Sequence, residues 1–131
     1  MNTNGRSNTT HGNDERNWGR ILQVFLPSRR PPGHEQKGVR PCVSIADPSA
    51  VHPLRYPMLI VAPMTSKSLP QLPLYPCLEA GVGGLPLAST VLLDQLTAID
   101  AHRVRGYIGS LSPEEFAPIR EGLSHLFAFE T

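Results

Sequence analysis

Fourteen prolines in a chain of 131 residues constrain its fold more than any other feature. Each proline fixes φ near −65° and removes a backbone donor, so long helices and long central strands are both interrupted. The proline share is near twice the ordinary ~5%, and 11 glycines accompany it. That composition argues against a helical bundle and for short strands punctuated by turns. Apolar residues make up 40% of the chain, enough for one core, and the length suits one domain of roughly 100–150 residues. No apolar run approaches the ~18–20 residues that cross a bilayer. The longest, Met58 to Met64, is strand-sized and holds Pro63. The opening MNTNGRSNTTHGNDERN has no apolar signal core. Cys42 and Cys77 lack CxxC spacing and read as two buried thiols, with a disulfide between them as the alternative. A cytoplasmic protein with no membrane partner is expected.

Residues 1–17 are almost entirely polar and read as a disordered leader, because they bury too little surface to offset ordering entropy. One domain is expected over 18–131. Strand-like runs occupy 18–26, 39–46, 58–65, 89–96 and 105–111. The segment 69–79, with Pro70, Pro73 and Pro76, reads as an edge strand. Gly81-Val82-Gly83-Gly84 lacks the Lys-Ser/Thr of a phosphate loop and reads as a turn. Ser112-Pro113-Glu114-Glu115 has the pattern of a capping box opening a helix, and Phe116, Ile119, Leu123, Leu126 and Phe127 give it one apolar stripe. Pro118 is expected to kink that helix or to displace its regular part. The fold class is mainly β, a small antiparallel barrel with a C-terminal α-helix.

The formal net charge of +1 conceals an uneven distribution. From Arg16 to Arg40 six cations (Arg16, Arg20, Arg29, Arg30, Lys37, Arg40) face one anion, Glu35, a net of +5. From Leu111 to Thr131 one arginine faces four glutamates, a net of −3. A solvated loop and an oriented phosphate-binding patch both account for the basic run. His34-Glu35 begins like HExxH without the second histidine, so neither a metal site nor a cofactor is expected. No G-x-S-x-G pattern supplies a nucleophile.

Four blocks, in order, carry a family resemblance. Gly33-His34-Glu35-Gln36-Lys37-Gly38-Val39-Arg40-Pro41 is similar to the GHEQ-x-G-x-RP signature of the MazF/PemK (Kid) ribonuclease toxins. Val61-Ala62-Pro63-Met64-Thr65-Ser66 resembles their following strand and Thr-Ser pair. Leu92-Leu93-Asp94-Gln95-Leu96-Thr97-Ala98-Ile99-Asp100 resembles their DQ…ID block. Ile108-Gly109-Ser110-Leu111-Ser112-Pro113-Glu114-Glu115 is similar to their last strand and helix cap.

The resemblance implies an SH3-like barrel of the CcdB/MazF type, acting as a homodimer and restrained by a cognate antitoxin. It implies metal-independent cleavage of single-stranded RNA, in which the substrate's own 2′-hydroxyl attacks phosphorus. By match to the motifs, Arg40 is a catalytic arginine suited to bidentate phosphate contact. Thr65 is a donor to the non-bridging oxygens, His34 an auxiliary group, and Asp94 a candidate base. Arg29, Arg30, Glu35, Gln36, Lys37, Ser66 and Gln95 are the expected RNA contacts.

Two departures bear on that expectation. The Kid branch has a second catalytic arginine two residues before the aspartate, where this chain has Leu92, so the identity of the base among Asp94, His34 and Glu35 stays open. The family commonly has Arg-Gly-Asp near its start, against Trp18-Gly19-Arg20 here. Two rival functions are a toxin of the same fold that acts on a protein such as gyrase, and an inactive RNA-binding module.

Overall fold

The computed structural model describes residues 18–28, 33–48 and 57–128. The expected leader and the Arg29–Arg30 segment therefore lie outside the described residues. Among the described residues seven strands, β1 (Arg20–Leu26), β2 (Gly38–Ala46), β3 (Met58–Thr65), β4 (Cys77–Leu78), β5 (Ser89–Val91), β6 (Thr97–Asp100) and β7 (Val104–Ser110), precede one α-helix, α1 (Pro113–Phe127). All pairings are antiparallel. The path runs β4-β5-β3-β2-β1-β7, and β6 adds to β3. The expected small antiparallel barrel with a C-terminal helix is thus present as a curled half-barrel.

The period-two alternation of β1 explains how one sheet holds two cores. Ile21 points into a cluster with Val43, Ala62, Met64, Leu93, Leu111, Phe116 and Ile119, which α1 covers. Leu22, Val24 and Leu26 point the other way, onto Cys42, Val61 and Ile99 inside the curl. Burying a large aliphatic side chain stabilises by roughly 1.5–3 kcal/mol each, so both faces contribute. Trp18 closes the first core, its ring 4.9 Å from that of Phe116. Among the described residues no helix is long and apolar enough to cross a membrane.

Three expectations change. The run 89–96 is not one strand: β5 ends at Val91, Leu93–Gln95 form a single 3-10 turn, and β6 follows. A straight strand would place Leu92 and Leu93 on opposite faces, whereas the turn buries both, at 4% and 0% exposure. The proline-rich 69–79 segment pairs only at Cys77–Leu78, an edge strand on β5, because prolines cannot extend the ladder. Pro118 sits within α1 without ending it. Its missing N–H falls opposite the carbonyl of Glu114, an exposed residue that water can serve. The capping box is present, with Glu115 N donating to Ser112 Oγ at 3.1 Å and Ser112 N to Glu115 Oε1 at 2.8 Å.

Candidate functional site

The turn at Leu93–Gln95 meets the loop before β2 at one point. Gln36 N donates to Gln95 Oε1 at 2.8 Å across 59 residues of sequence. This bond brings two of the four motif blocks together. Glu35, Gln36, Asp94 and Gln95 thereby line a groove of about 670 Å³, with Leu26, Pro63 and Ile99 as its apolar floor and Asp100 and Arg103 along its wall. The volume falls in the ordinary range for ligand clefts, roughly 300–1,000 Å³.

Asp94 is exposed on the turn. Its Oδ2 accepts a 2.6 Å hydrogen bond from the Tyr75 hydroxyl. That bond, and the negative charge of Asp94 beside it, raise the Tyr75 phenol above its ordinary value. Tyr75 carries no motif signal and went unpredicted, since only the fold brings the proline-rich segment to the DQ turn. Arg103 went unpredicted as well, because it lies outside the basic run. Asp100 caps the turn before β7, accepting from His102 N at 3.1 Å, and its carboxylate lies 2.7 Å from His102 Nδ1. These two bonds hold the Asp100 carboxyl below the usual range.

Arg40 stands on β2 opposite Val24 of β1. Its Nε donates to the Lys37 carbonyl at 2.9 Å, so one edge of the guanidinium is tied to the backbone and the terminal nitrogens have no partner among the described residues. Gly38 makes this geometry accessible, with φ of +81° between the two, a conformation that a β-carbon disfavours. The β2–β3 pairing ends at Cys42–Pro63. Its register, carried on by two residues, brings Arg40 and Thr65 to the same end of neighbouring strands. Thr65 Oγ1 accepts from Lys67 N at 3.2 Å, which leaves the hydroxyl proton available to another acceptor.

Of the predicted set, then, Glu35, Gln36, Asp94 and Gln95 share the groove wall. Arg40, Thr65, Ser66, Lys37 and His34 stand outside that wall. Thr65 is two residues along β3 from Pro63, and Lys37 adjoins Gln36. His34 is exposed. The basic run is divided by the fold: Lys37 and Arg40 are exposed, while Arg20 is half-buried on β1 with its guanidinium 6.0 Å from the Tyr107 ring. Leu92 is buried and offers nothing to the groove. Among the described residues no cluster of three or more His, Cys, Asp or Glu side chains could hold a metal ion.

A curled antiparallel sheet under one C-terminal helix, with a polar groove where the GHEQ loop meets the DQ turn, defines a small β-barrel toxin-type fold. Residues 18–127 match the model of the PemK-like, MazF-like toxins of type II toxin–antitoxin systems, and the chain belongs to that family. A comparison with curated protein sequences finds no match. Among solved structures the chain is similar to the Mycobacterium tuberculosis toxin MazF-mt6, with 20% identity over 86% of this chain and 99% of that one, at a TM-score of 0.66. It is similar to an endoribonuclease in complex with its cognate antitoxin from a mycobacterial species, with 15% identity over 86% and 95% of the two chains, at a TM-score of 0.64. It is also similar to MazF from Deinococcus radiodurans, with 23% identity over 85% and 94%, at a TM-score of 0.63.

Proposed function

We propose that this chain is a metal-independent, sequence-specific endoribonuclease that cleaves single-stranded RNA, leaving 2′,3′-cyclic phosphate and 5′-hydroxyl ends. The observation that carries the reading is the Gln36–Gln95 bond, which joins two of the four motif blocks at one groove. The substrate's 2′-oxygen attacks the adjacent phosphorus as its proton is removed, and the P–O5′ bond breaks as the leaving oxygen takes up a proton. DNA, without that hydroxyl, is not a substrate.

Asp94 is assigned as the proton acceptor because it lines the groove and its carboxylate is held by a hydrogen bond. Arg40 is assigned to the phosphorane, where its terminal nitrogens, without a partner among the described residues, suit two oxygens at once. Thr65 donates its free proton to a non-bridging oxygen. Glu35, Gln36, Lys37, Ser66 and Gln95 contact the RNA, with Arg29 and Arg30 supplying further phosphate contacts and His34 assisting the transition state. The active species is a homodimer, a reading supported by family membership and by Val39, which is 56% exposed beside its β1 partner Phe25. A cognate antitoxin holds it inactive, supported by family membership and by the antitoxin-bound relative.

Incubation with mixed-sequence RNA in EDTA tests the reading. Discrete fragments ending in 2′,3′-cyclic phosphate are expected, and Arg40→Ala is expected to slow cleavage by roughly 100–1,000-fold, as loss of a transition-state donor does. Absence of cyclic ends, or unchanged cleavage by the variant, overturns it.

A further inference from the structure

We propose that Tyr75 is a positioning residue for RNA cleavage: its hydroxyl fixes one carboxylate oxygen of Asp94 so that the other is presented to the groove. The inference rests on the ribonuclease reading above.

Asp94 is exposed on a single turn of 3-10 helix, where a free carboxylate would sample several rotamers and lose alignment with a 2′-hydroxyl. The 2.6 Å bond from Tyr75 removes that freedom. It is an O–H···O⁻ contact of the charge-assisted kind, the strong class of hydrogen bond. Oδ1 has no partner among the described residues and belongs to a side chain that lines the groove.

The backbone shows why Tyr75 can bear on Asp94 rather than merely meet it. On either side of Tyr75, the carbonyls of Leu74 and Pro76 accept from Leu93 N at 3.1 Å and Val91 N at 2.8 Å. The segment therefore lies along the residues that lead into Asp94, bonded on both flanks of the tyrosine. Tyr75 N in turn donates to the Leu72 carbonyl at 2.9 Å, closing a turn. The other side of this strap rests on α1, where Gly122 lets the Pro73 carbonyl approach. Pro70, Pro73 and Pro76, which stop the segment from extending the sheet, also limit the conformations open to the strap. The proline-rich stretch thus has a purpose that its edge-strand reading left unexplained. Tyr75 touches no substrate and transfers no proton to it.

The test is a double-mutant cycle on purified full-length protein, using an oligonucleotide with one ribonucleotide at the mapped cleavage site, in EDTA. Tyr75→Phe is expected to lower kcat about tenfold with KM unchanged, within the roughly 100-fold that a ~1 Å misplacement costs. On an Asp94→Asn background the same change is expected to cost nothing further. Phenolate absorbance gives a readout independent of cleavage: one tyrosine of the parent titrates at higher pH than in Asp94→Asn. Unchanged kcat in Tyr75→Phe, or an equal loss on both backgrounds, overturns the positioning role. If the parent cuts no RNA, the ribonuclease reading fails and the role in cleavage fails with it. An Asp94-dependent phenol titration then separates that result from absence of the bond.

Discussion

Gly122 of α1 faces the Pro73 carbonyl so closely that a β-carbon there would overlap it, and would stand 2.5 Å from Leu93 Cδ1. Two effects of opposite sign meet at this position. Alanine in a helix interior is favoured over glycine by about 1 kcal/mol. Overpacking a buried contact costs about 1–3 kcal/mol, and a backbone carbonyl cannot rotate aside as a side-chain end can. Overpacking wins. Gly122→Ala is expected to lower stability by about 1–2 kcal/mol in urea unfolding, and the displaced strap is expected to reduce cleavage as well. A variant more stable than the parent would show that the strap does not press on the helix.

Leu92 occupies the position where the Kid branch has an arginine, yet it is 4% exposed and its N–H donates to the Pro63 carbonyl at 2.9 Å. Restoring the family residue by Leu92→Arg is therefore expected to place an unpaired cation in the interior. The expected loss is about 3–5 kcal/mol, with no gain in cleavage. A folded Leu92→Arg protein that melts with the parent and cuts faster would show that the side chain reaches the groove after all.

The two thiols are expected to behave in opposite ways. Cys42 is buried as expected, and its thiol donates to the Arg40 carbonyl at 3.7 Å, but Cys77 is exposed, because alternation on the two-residue edge strand β4 turns Leu78 inward and Cys77 out. Burial pushes the Cys42 thiol up to about 12. One fast-reacting thiol per native chain at pH 8, and a second only on unfolding, is the expected count with a chromogenic disulfide reagent. Because the folded value is raised, the stability tied to the neutral thiol is complete below the ordinary value near 9 and lost as pH rises toward 12. The slope is on the order of 1.4 kcal/mol per pH unit. Cys42→Val removes that alkaline loss; an unchanged slope in the variant would assign it elsewhere.

Much of this arrangement is legible in the chain before folding, where residue spacing or local chemistry carries the signal. β3 coincides with the expected 58–65, and Ser112 and Glu115 make the predicted cap because a capping box needs only residues within one turn. The break at Leu92 was not legible, since two adjacent leucines satisfy a strand pattern until the tertiary structure asks both to be buried. At the site, the motif blocks indicated Gln36 and Asp94, and the groove holds both. Tyr75 and Arg103 were invisible for the opposite reason. Neither belongs to a motif, and their value arises from contacts made far along the chain. The separation of Arg40 and Thr65 from the groove wall was equally beyond the reach of spacing, which orders residues along strands without saying where a cleft opens between them.

Pro63, within the longest apolar run of the chain, sits where β3 exchanges partners on one edge. Met58 to Val61 pair with β6, Met64 and Thr65 pair with β5, and Pro63 lies in the gap, offering its carbonyl to Leu92 N. A residue with no N–H leaves no donor stranded at that junction. The β4–β5 flap and the β6 ribbon are therefore carried separately on β3 with a seam at Pro63. The groove opens on the β6 side of that seam, lined by β6 and the turn before it and by no residue of β4 or β5. Amide exchange should divide at this seam, with the flap opening as its own unit while the ladder from β7 to β3 stays closed. In this protein the cleft lies beside the place where one strand changes partners.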